Sequence, residues 1–331
     1  MGVLDDITAI ARRVSPRIVL AEGEDERVVQ AALEAAKEGV AKVSVVGRAE
    51  VVDRLAGDAP GRDLVTVYDP ATSDRLEAYA EAYFQLRQHK GVSRDGALAA
   101  MRDPLAFAAM MVREGDADGT IGGAVATTAD TVRTALQIIG KAPGVETVSS
   151  FFLMLLPQPH DRPVVFADCA LVVQPTPKEL AGIALSSAAS FRAMTGETPR
   201  VAMLSFSTMG SARHESIDRV TEAVAISRKA DPDLIIDGEI QFDAAIVPEI
   251  GRTKAPNSIL AGDANVFIFP SLDSANIGYK IAQRIGGATA IGPILQGLNH
   301  PANDLSRGCS KSDILQLIAV TGAQAGAQGG A

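Results

Sequence analysis

An alternation constrains the fold more than any other feature: short apolar, β-branched runs recur between longer segments of helical period. RIVL at 17–20, VSVV at 43–46, LVTV at 64–67 and DGTI at 118–121 are separated or followed by helical stretches at 25–37, 75–113 and 128–139. The long stretch breaks at Gly91 and again near Pro104. A strand that returns to its sheet through a helix runs parallel to its predecessor, and a parallel sheet is covered by helices. The expected fold class is α/β, with ligand loops at the carboxyl ends of the strands.

KAPG at 141–144 is the best break in the chain. Beyond it, strand-like runs at 151–156 and 163–166 flank a turn at 157–161. Helices at 176–195, 214–229 and 274–284 then alternate with strands at 201–205, 234–236 and 266–269. The pattern predicts two domains, each a mostly parallel sheet flanked by helices, with the active site in the cleft between them. One is discontinuous, residues 1–143 plus 293–331; the other covers 144–292. AIGPIL at 290–295 reads as the strand that carries the chain back to the first domain, and TGAQAGAQGGA at 321–331 as a fraying tail. A length of 331 residues suits two domains.

Composition narrows the partners. A net charge of −9 argues against nucleic acid and anionic membranes. Cys169 and Cys309 lie far apart with no CxxC, and His89, His160, His214 and His300 have no metal spacing. That suits a reducing cytosol and no metal. The first 14 residues read as an amphipathic helix without a signal-peptide core. Asp6 stands where a myristoylation motif wants Ser or Thr. No apolar run approaches the roughly 20 residues needed to span a bilayer. The expected location is cytoplasmic.

Chemistry concentrates in GPILQGLNHPANDLSRGCSKSD at 292–313. A strand, a polar loop and a helix opening near Ser310 make an anion site, because free N–H groups and the positive dipole end face the loop. Ser306 and Arg307 add a hydroxyl and a guanidinium fork, which suits phosphate. Asp313 reads two ways, as a base beside that anion or as the capping partner of Ser310. The loop at 119–128 has glycines for close backbone approach, and Thr128 is placed to cap the next helix; a plain tight turn reads equally well. Arg87 and Arg133 read alone as solvated surface arginines. SFSTMGSA at 205–212 is the corresponding loop of the second domain. Asn276 and Lys280 are four apart on one helical face, which also suits an ordinary first turn with a snorkelling lysine.

These stretches belong to a series. LAEGEDERV at 20–28, YFQLRQHKG at 83–91, DGTIGGAVATTADTVR at 118–133, FADCAL at 166–171, SFSTMGSA at 205–212, DGEIQFDAA at 237–245, SANIGYKIAQR at 274–284 and PANDLSRGCSKSDI at 301–314 follow one another in order. Together they resemble the phosphate acetyltransferase (phosphotransacetylase) family over essentially the whole chain. The resemblance implies reversible acetyl transfer between coenzyme A and phosphate in a homodimer, with coenzyme A a substrate and no cofactor. It implies Asp313 as base toward the thiol, Arg307 on the phosphoryl group and Ser306 donating to the developing oxyanion. It implies substrate contacts from Arg87, Thr127, Thr128 and Arg133, from Ser207, Thr208, Gly210 and Ser211, and from Asn276, Tyr279 and Lys280. Met209 stands where several relatives carry Lys, which leaves a phosphate role there in doubt.

Two mechanisms fit the last motif. In one the coenzyme A thiolate attacks directly in a ternary complex. In the other Cys309, its thiol pKa lowered by Arg307 and a helix N-terminus, carries the acetyl group. Direct attack is expected, because the acceptor brings its own thiol and no histidine is fixed nearby as a base for Cys309. Two other functions keep the same fold: a butyryl-preferring acyltransferase, and a non-catalytic acetyl-CoA-sensing module like the homologous domain fused to some malic enzymes.

Overall fold

Hydrogen bonding sorts the strands into two sheets. The computed structural model describes residues 2–329, and its chain divides into two compact units. One unit is Gly144–Gly297; the other is the chain up to Pro143 together with the segment from Leu298 onward.

In the discontinuous unit the elements are α1 (Val3–Val14), β1 (Arg17–Leu20), α2 (Glu26–Lys37), β2 (Lys42–Val46), α3 (Ala49–Ala56), β3 (Thr66–Tyr68), α4 (Leu76–Arg87), α5 (Arg94–Ala100), α6 (Pro104–Arg113), β4 (Gly119–Gly122) and α7 (Thr128–Ile138). In the unit Gly144–Gly297 the order is β5 (Ser149–Leu155), β6 (Pro163–Ala167), α8 (Pro177–Thr195), β7 (Arg200–Leu204), α9 (Glu215–Ala230), β8 (Ile235–Ile240), α10 (Phe242–Ile246), α11 (Pro248–Lys254), β9 (Val266–Ile268), α12 (Leu272–Arg284) and β10 (Thr289–Gln296). The chain then returns with β11 (Ala302–Asp304) and α13 (Lys311–Gly329).

The first sheet has the order β11-β4-β1-β2-β3 and is parallel throughout. Its middle strand β1 is buried at Ile18, Val19 and Leu20. Helix α6 is buried continuously from Phe107 to Val112, as befits a helix packed against both the sheet and neighbouring helices. The carboxyl ends of β11, β4 and β1 lie side by side, so their following loops are neighbours.

The second sheet has the order β10-β5-β6-β9-β7-β8. It is parallel from β6 to β8 and antiparallel at β10, β5 and β6. The turn between β5 and β6 is too short for a crossover, which forces a hairpin. Phe166, Phe267, Met154 and Ile240 are among the buried residues of one face.

Three expectations change. The run at 290–295 does not enter the first sheet; β10 pairs antiparallel with β5, so residues 293–297 belong with the second unit. The strand that returns the chain is β11, whose residues had read as loop. The expected tail at 321–331 is helical as far as Gly329, its last two residues lying outside the described ones. Thr321, Gly322 and Ala323 are buried there. A Cβ on Gly322 would sit 2.8 Å from Pro16 Cγ and 3.2 Å from Ala11 Cβ, so small residues let the helix pack closely against the start of the chain.

Candidate active site

The site of the discontinuous unit is assembled where β1, β4 and β11 end. After β11 the chain turns outward: Ser306, Arg307, Gly308, Ser310 and Asp313 are all exposed, while Leu305, Cys309 and Ile314 anchor the segment in the interior. Ser306 closes the turn, its carbonyl accepting from the Cys309 N–H at 2.8 Å and its hydroxyl from the Gly308 N–H at 3.3 Å. Among the described residues no carboxylate lies within 4.0 Å of the Arg307 guanidinium. An exposed cation without a counter-ion, next to the N-terminus of α13, is an arrangement that receives anions.

Of the two readings of Asp313, the capping one is seen in its hydrogen bonds. Its Oδ2 accepts from the Ser310 N–H at 2.8 Å and from the Ser310 hydroxyl at 2.9 Å, and its own N–H donates to Ser310 Oγ at 3.2 Å. That is a reciprocal capping box with Asp in the Glu position. Among the described residues, Oδ1 accepts no hydrogen bond.

The loop after β4 differs from expectation. Three of its N–H groups are already filled: Glu22, which follows β1, accepts from Ala124 N at 2.6 Å, Ala126 N at 2.7 Å and Val125 N at 3.1 Å. The cap of α7 is Thr127 rather than Thr128, with Asp130 N donating to Thr127 Oγ1 at 3.2 Å. Asp130 also pairs with the exposed Arg133 at 2.6 Å. Gly123 has a φ of 99°, and a Cβ there would strike Asp304 Oδ1 and lie 2.8 Å from Leu305 N. Only glycine allows the two loops to touch.

Asp304, two residues before Ser306, is completely buried, and among the described residues neither of its oxygens accepts a hydrogen bond of good geometry. Burial pushes its carboxyl up to about 6; the nearby Thr128 and Thr131 hydroxyls pull it down, and the charge of Glu22 pushes it further up. Cys309 runs against the premise of the covalent alternative. Burial raises its thiol, with Asp313 and Asp25 adding to the rise and Arg27 and a backbone hydrogen bond opposing it. The thiol is therefore held protonated, and its Sγ lies 3.8 Å from an Arg27 nitrogen.

Arg87 ends α4 half-buried, with its Nε buried and without a hydrogen-bond partner among the described residues. Among the described residues no hydrogen bond or ion pair connects Arg87 to the 306–313 segment.

The second unit gathers Ser207, Thr208, Gly210 and Ser211 in one turn, but the turn is largely self-satisfied. Ser207 is fully buried and donates to Glu239 at 2.8 Å, and Gly210 N donates to the same Glu239 oxygen at 2.8 Å. The Ser207 and Ser211 hydroxyls are 3.1 Å apart, Thr208 N donates to Ser211 Oγ at 3.0 Å, and Thr208 Oγ1 accepts from Gln241 N at 3.0 Å. Met209, Gly210 and Ser211 are the exposed members. On α12, Lys280 donates to Asn276 at 2.7 Å, and Asn276 donates to the Cys169 carbonyl at 3.1 Å. Tyr279 stacks on Phe152 with ring centroids 4.1 Å apart, so its ring belongs to the core.

Residue-type reasoning passed over the carboxylates that build these loops. Glu22 and Glu239 are two, and Asp168 is a third, accepting from the N–H groups of Ala170, Leu171 and Val172. Arg27 was passed over as well. The only available signal was the density of charge in EGEDER directly after a buried strand.

The comparisons with known proteins agree along the whole chain. Residues 2–322 match the family model for phosphate acetyl/butaryl transferase. The chain is similar to the phosphate acetyltransferase of Paracoccus denitrificans, 53% identical over 98% of this chain and 99% of the relative. It is similar also to that of Clostridium acetobutylicum, 46% identical over 98% and 99%. A solved phosphotransacetylase from Streptococcus pyogenes superposes with a TM-score of 0.92 at 44% identity, covering 98% and 99% of the two chains.

Proposed function

We propose that this chain, which belongs to the phosphate acetyl/butaryl transferase family, is the transferase that reversibly converts acetyl-CoA and phosphate to coenzyme A and acetyl phosphate. The observation that carries the reading is the exposed segment from Ser306 to Asp313, where a hydroxyl, an uncompensated guanidinium and a carboxylate surround the N-terminus of α13.

In the direction of thioester synthesis, the acetyl phosphate phosphoryl group sits against Arg307 and the opening of α13. The coenzyme A thiol has a pKa of roughly 8.5, so at neutral pH most of it must lose a proton to react. Asp313 takes that proton, the sulfur attacks the acetyl carbon, and Ser306 donates to the carbonyl oxygen as charge develops. The C–O bond to phosphate then breaks, Arg307 holds the leaving phosphate, and the proton carried by Asp313 passes to it, which leaves hydrogen phosphate dianion and a free carboxylate. In reverse, protonated Asp313 returns the proton to the departing thiolate. Cys309 takes no acetyl group, since its raised thiol is a poor nucleophile.

Arg87, Arg133, Thr127 and Thr128 are proposed to contact coenzyme A or phosphate from the same unit. In the other unit Gly210, Ser211 and Lys280 are the exposed candidates; Ser207, Thr208 and Tyr279 act from beneath. Two copies of the chain are proposed to associate, and the exposed stripe Ile277, Ile281 and Ile285 along and just past α12 is available for such a contact.

The direct experiment follows thioester absorbance with acetyl phosphate and coenzyme A, together with butyryl phosphate as a competing donor. Turnover with a higher kcat/KM for acetyl is expected. Binding of acetyl-CoA without turnover would overturn the reading in favour of a sensing module, and preference for butyryl would overturn the acyl assignment.

A further inference from the structure

We infer that Arg27 is a positioning residue for the anion loop, fixing where Ser306, Arg307 and Asp313 stand without touching substrate itself. The inference rests on the proposed acetyl transfer and adds a residue to it. Arg27 lies in the first turn of α2, with a third of its side chain exposed, and all five of its N–H donors are spent inside the protein. Nε and Nη2 donate to the Asp25 carboxylate at 3.0 and 2.7 Å, and Nη2 also donates to the Ala124 carbonyl at 3.0 Å. Nη1 donates to the Arg307 carbonyl at 2.9 Å and the Cys309 carbonyl at 2.8 Å.

Three loops are therefore tied to one planar group. The Arg307 and Cys309 carbonyls turn toward one guanidinium nitrogen, which fixes the backbone of the segment that carries Arg307 into α13. Among the described residues, the other ties of residues 305–309 are Leu305 N to Gly122 O at 2.7 Å and the small turn that Ser306 makes with Gly308 and Cys309; the Ser310–Asp313 capping box and the Lys311–Glu34 pair hold the start of α13 beyond them. The loop after β4 is held from both sides by a single stretch of chain, its N–H groups by Glu22 and its Ala124 carbonyl by Arg27.

Charge follows the same division of labour. Asp25 pairs with Arg27 at 2.7 Å, and the Arg27 hydrogen bonds hold its carboxyl below the ordinary value. The Arg27 cation is compensated, so it donates hydrogen bonds without competing with Arg307 for an anionic substrate. A lysine at this position would keep the charge but lose the fork that reaches two carbonyls, a carboxylate and a third carbonyl at once.

The test compares wild type, Arg27→Lys, Arg27→Gln, Arg307→Gln and the double variant Arg27→Lys/Arg307→Gln. Thioester formation by the wild type is measured first, so that its absence is charged to the functional reading and not to Arg27. For Arg27→Lys we expect kcat/KM for acetyl phosphate to fall by roughly 10²-fold, the cost of misplacing a catalytic group by about 1 Å, with KM for coenzyme A unchanged. In the Arg307→Gln background the same change should cost under about threefold, because its effect acts through Arg307. Alkylation of buried Cys309 by iodoacetamide needs no turnover, and in Arg27→Lys it should quicken by on the order of tenfold as the loop opens. Wild-type kinetics and alkylation in a folded Arg27→Lys protein would overturn the assignment, as would fully additive losses in the double variant. Failure of both Arg27 variants to fold would overturn it too, making Arg27 a stability residue.

Discussion

Asp313 Oδ2 accepts hydrogen bonds from both the N–H and the hydroxyl of Ser310, at 2.8 and 2.9 Å, so the proposed base is also the capping-box partner of Ser310 at the start of α13. The two roles separate on substitution. Asp313→Asn keeps an oxygen acceptor and should lose at most about 1 kcal/mol of stability, a typical cap contribution. Its kcat should fall by roughly 10²–10⁴-fold, the range for a positioned base. Thermal melting and kcat measured on one preparation decide: a lowered Tm with intact kcat would make Asp313 a cap alone.

Arg307 is exposed and its guanidinium has no carboxylate partner among the described residues, so its removal should leave the fold undisturbed. Arg307→Gln is expected to melt like the wild type and lose roughly 10²–10³-fold in kcat, as when one electrostatic stabiliser is deleted. Near-normal turnover would remove Arg307 from the site.

Cys309→Ala is expected to retain most activity, because burial raises the thiol and the acceptor supplies its own sulfur. Steady-state kcat is the measurement, and a loss approaching that of Asp313→Asn would contradict it.

How far the sequence could be read depended on what each residue's signal encodes. The βα alternation is local, so the mostly parallel sheets and the Ser306–Arg307–Gly308 loop were legible. Strand partnership is not local: AIGPIL announces a strand at 290–295 but nothing in it says that it pairs with β5. β11 escaped because Asn303 and Asp304 look like loop residues, although Asn303 is buried against Thr321 and Gln324 at 2.9 and 2.7 Å. The Gly and Ala of 322–326 look like a tail, yet they allow close packing on α1. Glu22 was invisible because its role is to fill N–H groups about a hundred residues away.

Asp304 makes stability depend on pH. Its folded pKa, about 6, lies above the ordinary carboxyl value of 3.8, so the unfolded state gives up the proton first. The stabilisation from the protonated form is complete below about pH 4 and is lost as pH rises through about 6. The difference corresponds to about 3 kcal/mol at most. Asp304→Asn should therefore raise stability at pH 8 relative to wild type and have little effect at pH 4, read from urea unfolding at both values. Equal effects at the two pH values would show that the buried carboxyl does not titrate in this window.

The central claim is that one site binds both substrates and transfers the acetyl group directly. Initial rates of thioester formation, with coenzyme A and acetyl phosphate varied against each other, test it most directly. Intersecting double-reciprocal lines are expected, from a ternary complex in which Asp313 deprotonates the thiol. Parallel lines, together with an acetyl adduct trapped on Cys309, would contradict it.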